Sequence, residues 1–333
     1  MYVGMNEACR RHDPGRVHPD QPGRLTVIEQ AFAACEHTQW AEPHPASRDD
    51  IELVHDHAYL DDLRRFCADG GGPWDPDTVA SEATWPASLA SAGLAIWAAE
   101  EAVETSPGID TPFALCRPPG HHALADDAMG FCFFNNIAVA AASLLDAGAV
   151  SRVGIIDWDA HHANGTQQFV QHQPGTSLVS MHQRGLYPGT GRLESANTDR
   201  VVNVPLPSDL GDGAYLHAFE RTVVPAMTAF DPDVLLVSCG FDIHAKDLLA
   251  SQELTSDGFG LLADAVQSLA TSLGVGVGFV LEGGYAIDIL GVCTTAIADA
   301  CAGDVPPRPV YDVDQRLEEV LNKTDAHPLI AAN

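Results

Sequence analysis

Short apolar runs alternate along the chain with longer, alanine-rich segments of helical period. The runs FALCRP (113–118), RVGIID (152–157), TSLVSMH (176–182), DVLLVSCGFD (233–242) and VGVGFVLEGGY (275–285) have the length and the branched, aliphatic composition of strands. Helical periodicity predicts helices over 85–105, 135–147, 213–229, 255–273 and 313–323. Near-continuous apolar strands alternating with helices predict a mainly parallel β-sheet flanked by helices on both faces, an α/β fold. No internal repeat, low-complexity tract or linker breaks this pattern, so residues 1–333 are expected to form one domain, with a proline-rich segment at 303–312 leading to a last surface helix.

In open α/β sheets, ligands bind beyond the carboxyl ends of the strands. Four of the five runs end there in polar chemistry: RPPGHH (117–122), DWDAHH (157–162), CGFD (239–242) and EGGY (282–285). The change is sharpest in VGIIDWDAHHANGT (153–166), where a buried strand meets two aspartates and two histidines. Buried carboxylates are costly unless they are paired or bind metal. On extended chain, Asp157, Asp159 and His161 face one way, and Trp158, Ala160 and His162 the other. Asp159 and His161 can therefore grip one metal ion, and Asp242, ending another strand in the same manner, is the natural third ligand. Two carboxylates and one imidazole leave a coordination position open, the catalytic arrangement for Zn²⁺. A plain buried ion pair would explain Asp159 and His161 but not the surrounding motifs.

Next to such a metal, the tandem His121 and His122 after a Pro-Pro-Gly turn suit proton transfer, because imidazole titrates near neutral pH. Tyr285 follows two glycines that let the backbone bend closely round a ligand, and its hydroxyl could stabilise a developing oxyanion. Packing is the alternative use of such a tyrosine.

Charge narrows the partners. With 46 acids against 17 bases the chain carries a formal charge of −29, which repels nucleic acid and anionic membrane. Only Lys246 and Lys323 are lysines, and the acids are dispersed, a composition suited to a high-salt, halophilic cytoplasm. No apolar run approaches the ~20 residues of a membrane span, and Arg10 and Arg11 precede no apolar leader segment, so a cytoplasmic protein is expected. Eight cysteines without any C-x-x-C pair predict free thiols, with Cys116 and Cys239 in the core.

Taken in order, HDPGRVHPDQPGRL (12–25), RPPGHHA (117–123), MGFCFFNN (129–136), DWDAHHANGT (157–166), YPGTG (187–191), NVPLP (203–207), SCGFDIHAKD (238–247) and LEGGY (281–285) resemble the zinc-dependent histone deacetylase family, class II-like members in particular. That family also includes acetylpolyamine amidohydrolases. The resemblance implies a single-domain arginase/deacetylase-like fold with one zinc held by Asp159, His161 and Asp242. It implies His122 as general base and acid, His121 as its electrostatic partner, and Tyr285 as the donor that polarises the substrate carbonyl. Asp157 behind His121 and Asn164 behind His122 are implied to orient the two rings. Gly130, Phe131 and Tyr187 match the walls of a narrow acyl-lysine tunnel, and either Asp75 or Asp77, with Asp77 taken as the candidate, matches an aspartate at its rim. Asp157, Asp159 and Ser180 match a structural monovalent-cation site, where K⁺ would suit a salty cytoplasm. Arg24 matches an arginine beside the internal exit pocket for acetate, a surface arginine being the alternative.

The implied reaction is hydrolysis of an acetyl-lysine side chain in a protein or peptide, releasing acetate. Arginase-like ureohydrolases use two manganese ions on the same fold, yet Ala163 and His244 stand where their additional aspartates would be. A silent acyl-lysine binding module is disfavoured because Tyr285 and both histidines are present. Polyamine-specific relatives carry a glutamate at the tunnel mouth where this chain has Leu249, which favours acetyl-lysine or a neutral amide over a small acetylated polyamine. Leu248 in place of the family's proline and Ala163 in place of its glycine are departures from the pattern. The sequence leaves homo-oligomerisation open.

Overall fold

The strands form where aliphatic residues can be buried on both faces. In chain order they are β1 (Tyr2–Gly4), β2 (Gln39–Ala41), β3 (Gly71–Pro73), β4 (Val79–Ser81), β5 (Pro112–Ala114), β6 (Val153–Asp157), β7 (Thr176–Gln183), β8 (Val201–Leu206), β9 (Val234–Cys239) and β10 (Gly276–Leu281). Every residue of β5 to β10 is buried, as expected of a parallel sheet covered on both sides. The computed structural model describes residues 1–108, 110–195 and 198–331.

Eight strands make one sheet in the order β2-β1-β5-β10-β9-β6-β7-β8, and each of its pairings is parallel. β3 and β4 pair separately as an antiparallel hairpin. Parallel register aligns the carboxyl ends: Asp157 at the end of β6 lies opposite Ser180 of β7 and Ser238 of β9.

The predicted helices form at Thr84–Glu104, Asn136–Asp146, Asp212–Phe230, Ser256–Leu273 and Gln315–Thr324. Their starts follow ordinary capping chemistry: Asn135 accepts from the Ala138 amide, Thr255 from that of Gly258, and Asp314 from those of Arg316 and Leu317. Helix Thr84–Glu104 buries a face rich in alanine and lies close on the sheet; a Cβ at Gly278 would stand 2.8 Å from the Ala98 carbonyl oxygen. All eight cysteines are free, and Cys116 and Cys239 are buried. Among the described residues, no helix is long and apolar enough to cross a membrane.

Candidate active site

The carboxyl ends of β6, β9 and β10 meet in one cleft, as the strand order requires. Asp159, His161 and Asp242 place one ligand atom each within 4.8 Å of one another. Asp159 and Asp242 are buried, and His161 is 12% exposed. The Nδ1 of His161 lies 3.1 Å from Asp159 Oδ1 and 2.8 Å from Asp242 Oδ2. Backbone amides hold the carboxylates in place: Gly283 N–H donates to Asp159 Oδ2 at 2.9 Å, His161 N–H to Asp159 Oδ1 at 2.9 Å, and Ala160 N–H to Asp242 Oδ1 at 2.8 Å.

This donor set fits a divalent cation. Burial and the adjacent Asp159 raise the Asp242 carboxyl to about 7, because two confined carboxylates repel. The space between them is kept open by glycine: a Cβ at Gly283 would stand 2.6 Å from Asp159 Oδ2, 2.8 Å from Asp242 Oδ2 and 3.2 Å from the Tyr285 hydroxyl. The position that ends a D-x-D in two-metal enzymes is filled by His244, whose Nδ1 instead accepts the Lys246 amide at 3.0 Å.

The tandem histidines differ in their partners. The His121 ring lies 3.1 Å from Asp157 Oδ2; burial opposes a charge there, but Asp159 and Asp157 outweigh it and lift His121 to about 10. The His122 Nδ1 lies 2.7 Å from Asn164 Oδ1, and burial, with His121 and His161 nearby, pushes this imidazole well below its ordinary value. Asn164 also donates through Nδ2 to the His122 carbonyl at 3.3 Å, so its Oδ1 faces the ring. The proton on His122 therefore sits on Nδ1, and Nε2 carries the free lone pair. The two rings are 4.1 Å apart between centroids.

Tyr285 is held by two charged groups. The Arg24 guanidinium lies 4.9 Å from the ring centroid, and Asp247 Oδ2 accepts the amides of Tyr285 at 2.6 Å and Ala286 at 3.2 Å. Burial raises the phenol well above its ordinary value and keeps it protonated. Arg24 is fully buried, which excludes the surface alternative for this residue. It donates to the carbonyls of Gly284 and Glu282, each at 2.5 Å, and to Asp20 at 2.7 Å, so it clamps the loop that carries Tyr285.

Above the triad, Gly130 at φ 56° brings backbone against the His122 ring, where a Cβ would collide, and would stand 2.8 Å from the Tyr187 ring. Phe131, also left-handed at φ 67°, packs edge-on against Tyr285 at 5.5 Å and against His18 at 4.5 Å. Tyr187 packs edge-on against His122 at 5.1 Å. The Asp75–Thr78 turn borders this wall through Thr78, whose hydroxyl accepts the Phe131 amide at 3.2 Å. Asp75 closes its own turn by accepting the amides of Asp77 and Thr78, and the His18 ring bonds the Asp77 carbonyl at 2.9 Å. Leu249 is half-buried beside Asp247, whose Oδ1 accepts its amide at 3.0 Å.

Ser180 lies behind the triad with its hydroxyl 2.9 Å from His182 Nδ1. Nδ1 also lies 3.1 Å from the Ser180 carbonyl oxygen, and the other ring nitrogen of His182 lies 2.9 Å from the Gly191 carbonyl.

Sequence reasoning missed three supports of the site. Asp247, the clamp on Tyr285, lay unassigned in the SCGFDIHAKD segment. Glu282 accepts the amides of Gly120 at 2.7 Å and His121 at 3.1 Å, and burial raises it to about 7. Arg117 binds Asp20 together with the carbonyls of Cys9, His12 and Asp20, and so ties the segment before the histidines to the amino-terminal loop. A charged residue inside a motif was the only signal available for each.

The model of the histone deacetylase domain matches residues 18–301. The chain belongs to the histone deacetylase family. Its similarity to other members is broad. It is 37% identical to "Histone deacetylase 10, chloroplastic" of Oryza sativa subsp. japonica, over 85% of this chain and 68% of that protein. It is 36% identical to the histone deacetylase-like amidohydrolase of Pseudomonas aeruginosa, over 86% of this chain and 76% of that protein. With a probable deacetylase of Archaeoglobus fulgidus it shares 33% identity, over 86% and 82% of the two chains. The crystal structure of the HDA15 HD domain superposes with a TM-score of 0.87 at 30% identity, covering 99% of this chain and 97% of that one. The arginase/deacetylase fold expected from the sequence is therefore present, and membership of this family supports a hydrolase.

Proposed function

We propose that the protein is a zinc-dependent deacetylase that removes acetyl groups from lysine side chains in proteins or peptides. The observation that carries this reading is the convergence of Asp159, His161 and Asp242 on one point, with Tyr285 and the two histidines around it. Those three residues would hold the zinc, which when bound supplies Lewis acidity towards a carbonyl oxygen and a water.

The chain's own groups do the rest. Gly130, Phe131 and Tyr187 confine the acyl-lysine stem, and Asp77 at the rim accepts from the substrate backbone. His122 Nε2 takes a proton from the attacking water, its tautomer fixed by Asn164. The protonated Tyr285 hydroxyl donates to the oxyanion that develops as the new C–O bond forms. The C–N bond then breaks as a histidine of the pair delivers a proton to the leaving amine, His121 being held in place by Asp157. Acetate and the free lysine amine are the products. Asp157 and Ser180, paired across β6 and β7, are proposed to bind K⁺.

Leu249 supports lysine over polyamine, since an aliphatic side chain offers no carboxylate to a cationic substrate tail. The test is turnover of an acetyl-lysine peptide and of an acetylated polyamine by zinc-loaded protein in potassium chloride, with Tyr285→Phe as the control. Peptide hydrolysis lost in the variant is expected. Preference for the polyamine would overturn the substrate assignment, and no hydrolysis of either at full zinc occupancy would overturn the deacetylase reading.

A further inference from the structure

The chain has 46 acids to partner its 17 bases. Ten of the 17 are ion-paired, and an eleventh, Arg200, donates instead to backbone carbonyls such as those of Val170 and Gln173. Six remain without a partner among the described residues: Arg11, Arg16, Arg64, Arg184, Arg192 and Lys323. Three of these six, Arg184, Arg192 and Lys323, line a single depression of about 470 Å³ between the loop after β7 and the helix Gln315–Thr324. Arg316 stands on the same wall, already bonded to Asp314 at 2.6 Å.

Three cations held on two separate elements repel one another, and none of them has an ion-pair partner among the described residues. Glu194 and Glu319 also line the depression, yet neither is ion-paired with any of the three among the described residues. With Arg316 already neutralised by Asp314, the three free cations and two carboxylates leave this wall with one net positive charge on a protein whose total is −29. Gly185, Gly189 and Gly191 are among the residues that line it and carry no side chain to fill it. Guanidinium and ammonium groups lining one depression have the chemistry for phosphate oxygens: the arginines offer forked donors and the lysine a point charge.

We propose that this depression binds a phosphate-bearing small anion, bridging Arg184 and Arg192 on the loop to Lys323 on the helix. The site is separate from the metal cleft and does not depend on the reaction assigned to that cleft. The loop that would be bridged also carries Tyr187, so occupancy would stiffen one wall of the cleft from outside.

The test is calorimetric titration of the full-length protein with inorganic pyrophosphate and, separately, orthophosphate, at low and at high potassium chloride, with zinc loaded beforehand. Saturable binding of pyrophosphate is expected, weakening as salt rises, because the contacts are ionic. Arg192→Ala and Lys323→Ala should each lower affinity about tenfold or more, as loss of a charge-assisted contact does. Arg64→Ala, which removes a free cation elsewhere, should leave it unchanged. All three are surface changes, and unchanged melting temperatures establish that the variants are folded. Absence of binding by either anion at low salt, or binding that survives both Arg192→Ala and Lys323→Ala, would overturn the proposal.

Discussion

Replacing Asp247 by asparagine separates the support of Tyr285 from the chemistry of its hydroxyl. The carboxylate accepts three amides, those of Tyr285 and Ala286 on one oxygen and that of Leu249 on the other, and the residue is 5% exposed. Asparagine is the same size but accepts on one oxygen only. Whichever way it turns, an NH₂ group must face an amide N–H that was previously bonded. Losing one hydrogen bond to a charged group costs ~1.5–3 kcal/mol, which is ~10–150-fold in the equilibrium that holds the loop in place. Misplacing a reacting group by ~1 Å can cost ~100-fold in rate. The expected result is kcat/KM lowered about 10- to 100-fold, mostly in kcat, with zinc content unchanged because Asp247 touches no ligand of the triad. Steady-state kinetics on an acetyl-lysine peptide, paired with metal analysis, measures both. Activity within twofold of the parent at full zinc occupancy would refute the idea that Asp247 positions Tyr285.

Asn164→Asp places a carboxylate beside His122, which favours its protonated form and raises its pKa; the acid limb of kcat/KM against pH should move to higher pH, and a profile that does not move would contradict the base role of His122. Asp20→Asn leaves the buried Arg24 and Arg117 without their anion and should lower stability by ~3–5 kcal/mol in chemical denaturation. Burial opposes the charge on Asp20, but Arg117 and Arg24 overcome it and hold the carboxyl at about 2, below its ordinary value. Its stabilisation is thus complete above the ordinary carboxylate range and is lost as pH falls towards 2, so parent and variant should converge in stability only in strong acid. Gly130→Ala demands a left-handed φ of an alanine and drives a methyl into the His122 ring, so activity should fall at least tenfold while the triad still binds zinc; near-normal turnover would show that this wall can yield.

The strands that carry chemistry were legible in the sequence because burial on both faces writes an unbroken aliphatic run. Their ends were not. DVLLVSCGFD was read as strand to residue 242, whereas β9 stops at Cys239 and the last three residues turn out of the sheet to present Asp242. β1 and β2 span three residues each, too few for any periodicity, and β8 contains Asn203 and Pro205, which break its aliphatic pattern. Helices such as Gly23–Ala34 and Asn164–His172 were missed, their first residues lying inside the motifs that end at 25 and 166. Asp159, His161 and Asp242 could be found because their spacing is written in two strand ends. The Asp20, Arg24 and Arg117 cluster could not, since full burial of two arginines runs against composition and becomes visible only when three distant segments meet.

The position of β10 has a consequence for how the protein is made. The last strand of the chain lies at the middle of the sheet, with β5 on one side and β9 on the other. Until residue 281 has been synthesised, the early strands β2, β1 and β5 have no edge through which to join β9, β6, β7 and β8. Contacts of such sequence separation close slowly. The two halves must therefore wait as separate, open-edged layers, and exposed parallel edges are where aggregation begins. Gly283 and Tyr285 follow directly on that strand, so no fragment ending before residue 285 holds all the groups of the cleft.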